Sequence, residues 1–84
     1  MLKTVYKDLF DLAGTSGYEK DIRTYMRNQM AKYSNYEIVT DRLGSIFAVK
    51  KAKDTNASVV MVAGHMDEVG LIVVSINEFG MLKF

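Results

Sequence analysis

Histidine occurs once in this 84-residue sequence, at His65. It follows the apolar run Val59-Val60-Met61-Val62-Ala63-Gly64 and precedes Met66-Asp67-Glu68-Val69-Gly70. A neutral imidazole is the commonest protein metal ligand, and a carboxylate on its other ring nitrogen usually fixes its orientation. On an extended chain, residues two apart face the same side. Asp67 can therefore orient His65 or position a water at a metal, whereas Glu68 faces away and ranks lower as a ligand. Gly64 and Gly70 allow close backbone approach on either side. In open α/β sheets, ligands bind beyond the carboxyl ends of the strands, which is where His65 stands if residues 59–64 form a buried strand. A strand-end histidine making ordinary hydrogen bonds explains the same residues, and H-x-D alone does not choose between the two.

The other polar candidates read as structural. Asp41, ahead of Gly44 and Ser45, suits a turn, with a supporting role behind a metal ligand as the alternative. Ser16-Gly17-Tyr18-Glu19 has the spacing of a capping box, in which the Ser16 hydroxyl accepts from the Glu19 amide and the Glu19 carboxylate reaches back. Phe10, Tyr25, Met26 and Met30 are assigned to packing, and Lys50, Lys51 and Lys53 to a solvated strand end. The sequence contains no glycine-rich phosphate loop and no nucleophile elbow.

Several elements are needed to position His65. Leu2, Val5, Tyr6, Leu9, Leu12 and Ala13 recur at helical spacing, predicting an amphipathic helix that ends in a C-terminal cap at Gly14. Tyr18, Ile22, Tyr25, Met26, Gln29 and Met30 mark one face of a second helix that fades near Tyr33-Ser34-Asn35. The period then changes to two. Residues 36–41 and 45–51 are expected to form an antiparallel hairpin through Arg42-Leu43-Gly44. Asp54-Thr55-Asn56 is a loop tip. Residues 59–64, apolar on both faces, read as a central strand covered on both sides. Leu71–Ile76 and Met81–Phe84 form a second hairpin around Asn77-Glu78-Phe79-Gly80. The fold class expected is α/β, with two N-terminal helices packed on a mixed sheet. The chain stops inside an apolar return strand, which reads as a truncated end.

Composition excludes several classes. The chain is 49% hydrophobic and 25% charged, as in ordinary globular proteins. Its 11 basic and 10 acidic residues leave a net charge of +1, giving no electrostatic case for nucleic acid or an anionic membrane. The longest apolar run is far shorter than the roughly 20 residues that span a bilayer, and residues 1–8 lack a signal-peptide core. No cysteine is present, so no disulfide staples the fold. These features set the expectation of a soluble, cytoplasmic protein. A chain this short buries only about 60–65% of its unfolded surface, and exposed sheet edges should favour self-association.

Taken together, Leu12-Ala13-Gly14-Thr15-Ser16-Gly17-Tyr18-Glu19, Asp41-Arg42-Leu43-Gly44-Ser45 and Ala63-Gly64-His65-Met66-Asp67-Glu68-Val69-Gly70 occur in an order and spacing that resemble the start of the M42 metallo-aminopeptidases. Some members of this group carry the older labels cellulase M or endoglucanase. The resemblance covers essentially the whole chain and favours the ligand reading of His65. One departure is Ser45, where family members usually carry asparagine; it removes any side-chain amide role there.

The resemblance implies the start of a zinc-peptidase-like α/β/α domain over residues 1–68. Residues 69–84 would open a smaller, inserted dimerisation domain. It implies that His65 is a ligand in a site for two divalent metal ions, zinc, cobalt or manganese, and that Asp67 is the catalytic carboxylate supporting it. The remaining ligands and the general base would lie beyond Phe84, so the 84-residue piece is expected to be inactive. The implied activity is removal of N-terminal residues from peptides by a homo-oligomer, with a peptide as partner and neither nucleic acid nor membrane. Two alternatives stand beside it. One is a non-catalytic α/β remnant or interaction module that uses an open sheet edge. The other is a glycosidase, which wants paired carboxylates where this chain has His65 beside Asp67.

Overall fold

Short-range signals determine the elements of the computed structural model, which describes residues 2–84. Helix α1 spans Leu2–Asp11 and α2 spans Lys20–Met30. In α2, Asp21 lies in the first turn and Arg27 in the last, each at the end of the helix dipole that favours its charge. Beyond Met30 the helix unwinds through turn bonds, the Lys32 and Tyr33 amides donating to Gln29 and Met30 carbonyls at 3.3 and 3.1 Å. The predicted fading near Tyr33 is observed.

Strands β1 (Glu37–Thr40) and β2 (Ile46–Val49) pair antiparallel, with Val39 opposite Phe47. Strands β3 (Ser75–Ile76) and β4 (Leu82–Lys83) form a second antiparallel pair. The two hairpins use the same turn chemistry. Asp41 Oδ1 accepts the amides of Leu43 and Ser45, both at 2.9 Å, and Gly44 follows at φ 89°. Asn77 Oδ1 accepts the amides of Phe79 and Met81 at 3.0 and 2.9 Å, and Gly80 follows at φ 77°. An Asx side chain that satisfies two amides, then a glycine in the left-handed region, closes a tight hairpin. Asp54 makes the shorter version, accepting the Asn56 amide at 2.9 Å.

The tertiary arrangement departs from expectation. The sheets are two separate antiparallel pairs, not one mixed sheet. Residues 59–64 are not a central strand: among the described residues they pair with nothing, and Val59 and Val62 are each 96% exposed. A β segment is held by a ladder to its neighbours. Here β1 and β2 pair only with each other, and neither outer edge is paired with 59–64. The radius of gyration is 17.6 Å, against about 12 Å for a compact chain of this length.

What core there is lies between α2, the loop before it and β2. Ile22 is the one buried large hydrophobe among the described residues, at 8% exposure. Its side-chain carbons sit 3.5–3.7 Å from where a Gly14 Cβ would stand. A side chain there would make only ordinary van der Waals contact with Ile22, and Gly14 is not a left-handed helix cap as expected from sequence, since its φ is not positive. Arg23 Nη1 donates to the Gly44 carbonyl at 3.0 Å, tying α2 to the β1–β2 turn. The Tyr25 hydroxyl donates to Asp8 Oδ2 at 3.1 Å and links the two helices. Burial, followed by that carboxylate, pushes the phenol above its ordinary pKa. No helix among the described residues is long and apolar enough to cross a membrane.

Candidate functional site

Among the described residues, backbone hydrogen bonds fasten the segment bearing His65 to the loop before α2. The Glu68 amide donates to the Gly14 carbonyl at 2.8 Å, and the Ser16 amide donates to the Glu68 carbonyl at 3.3 Å. Together they form an isolated parallel bridge between Thr15 and Glu68. Gly70 completes the clasp: a Cβ there would lie 2.6 Å from Thr15 Oγ1 and 2.9 Å from Cγ2, so only glycine fits. Two sequence motifs some fifty residues apart are thus joined by backbone hydrogen bonds, which hold in place without side-chain packing.

Within the segment, the His65 Nδ1 lies 3.0 Å from the Asp67 carbonyl oxygen and 3.1 Å from Asp67 Oδ1. A carbonyl can only accept, so Nδ1 carries the proton and donates to both. In the neutral ring the lone pair is then on Nε2. The His65 side chain is 87% exposed and that of Asp67 38%. The Ser16 hydroxyl, then the His65 ring, hold the Asp67 carboxyl below the usual carboxylate range. This is the arrangement by which a carboxylate fixes the tautomer and orientation of a metal-binding histidine.

His65, Asp67 and Glu68 border a cleft of about 820 Å³ whose apolar lining includes Leu12, Ile22 and Met26. Asp41 does not stand among them; its carboxylate is engaged in its own turn, and the Ser45 amide is the main cause of its lowered pKa. The donor chemistry fits one metal ligand, His65, with Asp67 supporting it. A catalytic zinc needs about three protein ligands, and among the described residues no three His, Cys, Asp or Glu side chains are grouped to hold an ion.

The capping box expected at Ser16–Glu19 is replaced by a different arrangement. The cap of α2 is Glu19, without a side-chain cap bond, and its carboxylate accepts the Gly17 amide at 2.7 Å. The Ser16 amide donates instead to the Glu68 carbonyl. The Ser-x-x-Glu spacing concealed this role, because it satisfies the capping pattern by itself. Thr15 and Gly70 were also missed as a contact pair; the glycine flanking His-x-Asp was the signal of close approach, without its partner.

A family model described as M42 glutamyl aminopeptidase matches residues 44–84, which include His65 and Asp67. The chain is 42% identical over 77 residues to the glutamyl aminopeptidase of Lactococcus lactis subsp. cremoris, an alignment covering 92% of this chain and 21% of that protein. It is 39% identical over 85 residues to a protein of Acetivibrio thermocellus, covering 93% and 24%. With the lysyl aminopeptidase of Pyrococcus furiosus it shares 36% over 78 residues, covering 92% and 21%. The chain thus spans between a fifth and a quarter of the length of these relatives. No solved structure matches it.

Proposed function

Because the chain belongs to the M42 peptidase family, we propose that it forms part of a metal-dependent aminopeptidase in which His65 is a metal ligand and Asp67 orients it. The observation that carries this reading is the His65 ring: its Nδ1–H donates to Asp67, leaving the Nε2 lone pair exposed beside the cleft. Two divalent ions such as zinc, cobalt or manganese would, when bound, polarise the scissile carbonyl and ease deprotonation of the attacking water. The chain's own residues contribute orientation. Asp67 holds the imidazole, the Gly14–Ser16 loop holds Asp67's segment, and the apolar cleft beside them offers a site for part of a peptide.

One histidine and one supporting carboxylate do not hold two ions. The remaining ligands and the general base are assigned to polypeptide that the 84 residues do not include, and the chain alone is inactive. Residues 1–68 belong to the catalytic domain, and residues 69–84, which contain β3 and β4, open a smaller dimerisation domain. The exposed run Val59–Val62 fits a strand that takes its neighbours from further polypeptide. The working enzyme is a cytoplasmic homo-oligomer acting on the N-terminal residue of peptides.

A chimera tests this reading. The aligned segment of the Lactococcus enzyme is replaced by this chain, and hydrolysis of an N-terminal glutamyl substrate is measured. The chimera is expected to retain activity, and His65→Ala to reduce it on the order of 100-fold or more. A folded, active chimera indifferent to His65→Ala would overturn the assignment. That same run of exposed apolar residues favours one second reading, an interaction module. Stable self-association of the isolated chain with no metal binding at His65 would support it instead.

A further inference from the structure

The peptide group joining Asp67 to Glu68 is hydrogen-bonded at both ends. Its N–H donates to the Gly14 carbonyl at 2.8 Å. Its carbonyl oxygen accepts the His65 Nδ1–H at 3.0 Å. One peptide further on, the Glu68 carbonyl accepts the Ser16 amide at 3.3 Å and closes the bridge with Thr15. A trans peptide is planar, and its N–H and C=O point in opposite directions. Anchoring the N–H on Gly14 therefore aims the carbonyl away from the loop and toward the ring. No rotatable bond separates the two contacts. Hydrogen bonds in series through one amide also polarise each other. The second acceptor of the ring proton, Asp67 Oδ1 at 3.1 Å, stands on a side chain that turns about two torsions. The His65 side chain is 87% exposed, so packing does little to hold it.

We propose that this peptide group positions the His65 ring, passing the register of the loop before α2 to the imidazole through main-chain hydrogen bonds. Gly70 and Thr15 are then positioning residues. Neither lines the cleft. They act on the ring only through closure of the bridge, which their close approach permits because residue 70 has no Cβ. The Asp67 carboxylate adds a second acceptor and does not set the ring alone. The consequence for the ring is independent of any metal; the consequence for a metal at Nε2 rests on the function proposed above.

The test uses the whole 84-residue chain, without metal, at about pH 8, where an ordinary imidazole is neutral. Ring-nitrogen NMR reads the ratio of Nδ1–H to Nε2–H forms of His65, and amide exchange at Glu68 reads the bridge. Free histidine in water prefers the Nε2–H form. Gly70→Ala is expected to speed Glu68 exchange and to lower the ratio roughly 2- to 10-fold, the worth of one hydrogen bond. Adding Thr15→Ala should restore both. Asp67→Ala removes the carboxylate and keeps the carbonyl, so Nδ1–H should stay enriched over free histidine with Glu68 still protected. A ratio that does not follow Glu68 protection through the Gly70 and Thr15 variants overturns the proposal. So does a bridge that stays closed in Gly70→Ala and in the bulkier Gly70→Val, because residue 70 would then not govern it. A free-histidine ratio in Asp67→Ala with Glu68 protected overturns it too, since the carboxylate would be the sole control. In a separate zinc titration, Gly70→Ala should weaken binding in proportion to the Nδ1–H population lost. If His65→Ala leaves zinc binding intact, the metal assignment fails, while the ring ratio still decides the role of the peptide group.

Discussion

Replacing Gly70 with alanine should open the clasp that carries His65. The new Cβ would meet Thr15 Oγ1 at 2.6 Å, Cγ2 at 2.9 Å and Cβ at 3.3 Å. Rotating the threonine relieves one γ atom by bringing another substituent round, so the crowding persists. Overpacking of this kind costs about 1–3 kcal/mol. The clasp itself consists of two backbone hydrogen bonds, at 2.8 and 3.3 Å, each contributing about 0.5–1.5 kcal/mol net. The penalty is therefore comparable to the whole of what holds the bridge closed, and opening relieves it. Since 1.4 kcal/mol is a factor of ten, amide exchange at Glu68 should accelerate by roughly 5- to 150-fold. Adding Thr15→Ala removes both γ atoms and should restore most of the protection, giving a strong coupling in the double-mutant cycle. Gly64 supplies the control on the other side of His65. Nothing lies within 4 Å of its Cβ position and its φ is not positive, so Gly64→Ala should leave Glu68 exchange unchanged. Equal exchange in wild type and Gly70→Ala, or equal damage from Gly64→Ala, would refute the reasoning.

Further expectations concern the turns and the core. Gly44→Ala should destabilise the β1–β2 hairpin by about 1–2 kcal/mol for its left-handed backbone, and should displace the flexible Arg23 guanidinium from beside Gly44. Gly80→Ala, at φ 77° with open space around it, should show the backbone cost alone in hairpin amide exchange. Acid should separate the two hairpins. The Asp41 carboxyl is lowered chiefly by the Ser45 amide, so its contribution is present above the unfolded pKa and is lost as pH falls through the lower folded value. Amide shifts followed from pH 7 down to about 2 should show β1–β2 loosening below about pH 4, while the turn at Asn77, which does not titrate, persists. Asp41→Asn should remove the difference. Ile22→Ala should cost about 2 kcal/mol, the low end for a buried aliphatic at a site half open to a cleft, read as a lowered midpoint in urea.

Features set by residues close in sequence were legible beforehand. The 3.6-residue period located α1 and α2 to within a turn. The Asx-x-x-Gly pattern located both hairpins, because the side chain, the two amides and the positive-φ glycine all lie within five residues. The pairing of His65 with Asp67 was legible for the same reason. Residues 59–64 failed because an apolar run states only what the segment would bury, and its strand state depends on partners that local pattern does not supply. Ser16 was assigned to a helix cap because Ser-x-x-Glu is a sufficient local explanation, whereas its neighbour Glu68 is set by a bridge across about fifty residues. Gly14 follows the last periodic residue, as a cap would, yet its φ is not positive.

A zinc titration of the chain, followed on the His65 ring nitrogens, tests the central claim most directly. The account predicts that zinc shifts Nε2 selectively while Nδ1 keeps its proton, donated to Asp67. Binding should be weak, because one ligand is present of the roughly three a catalytic zinc requires, and His65→Ala should abolish it. Zinc that binds the chain without perturbing Nε2, or that binds His65→Ala as well as wild type, would contradict the account.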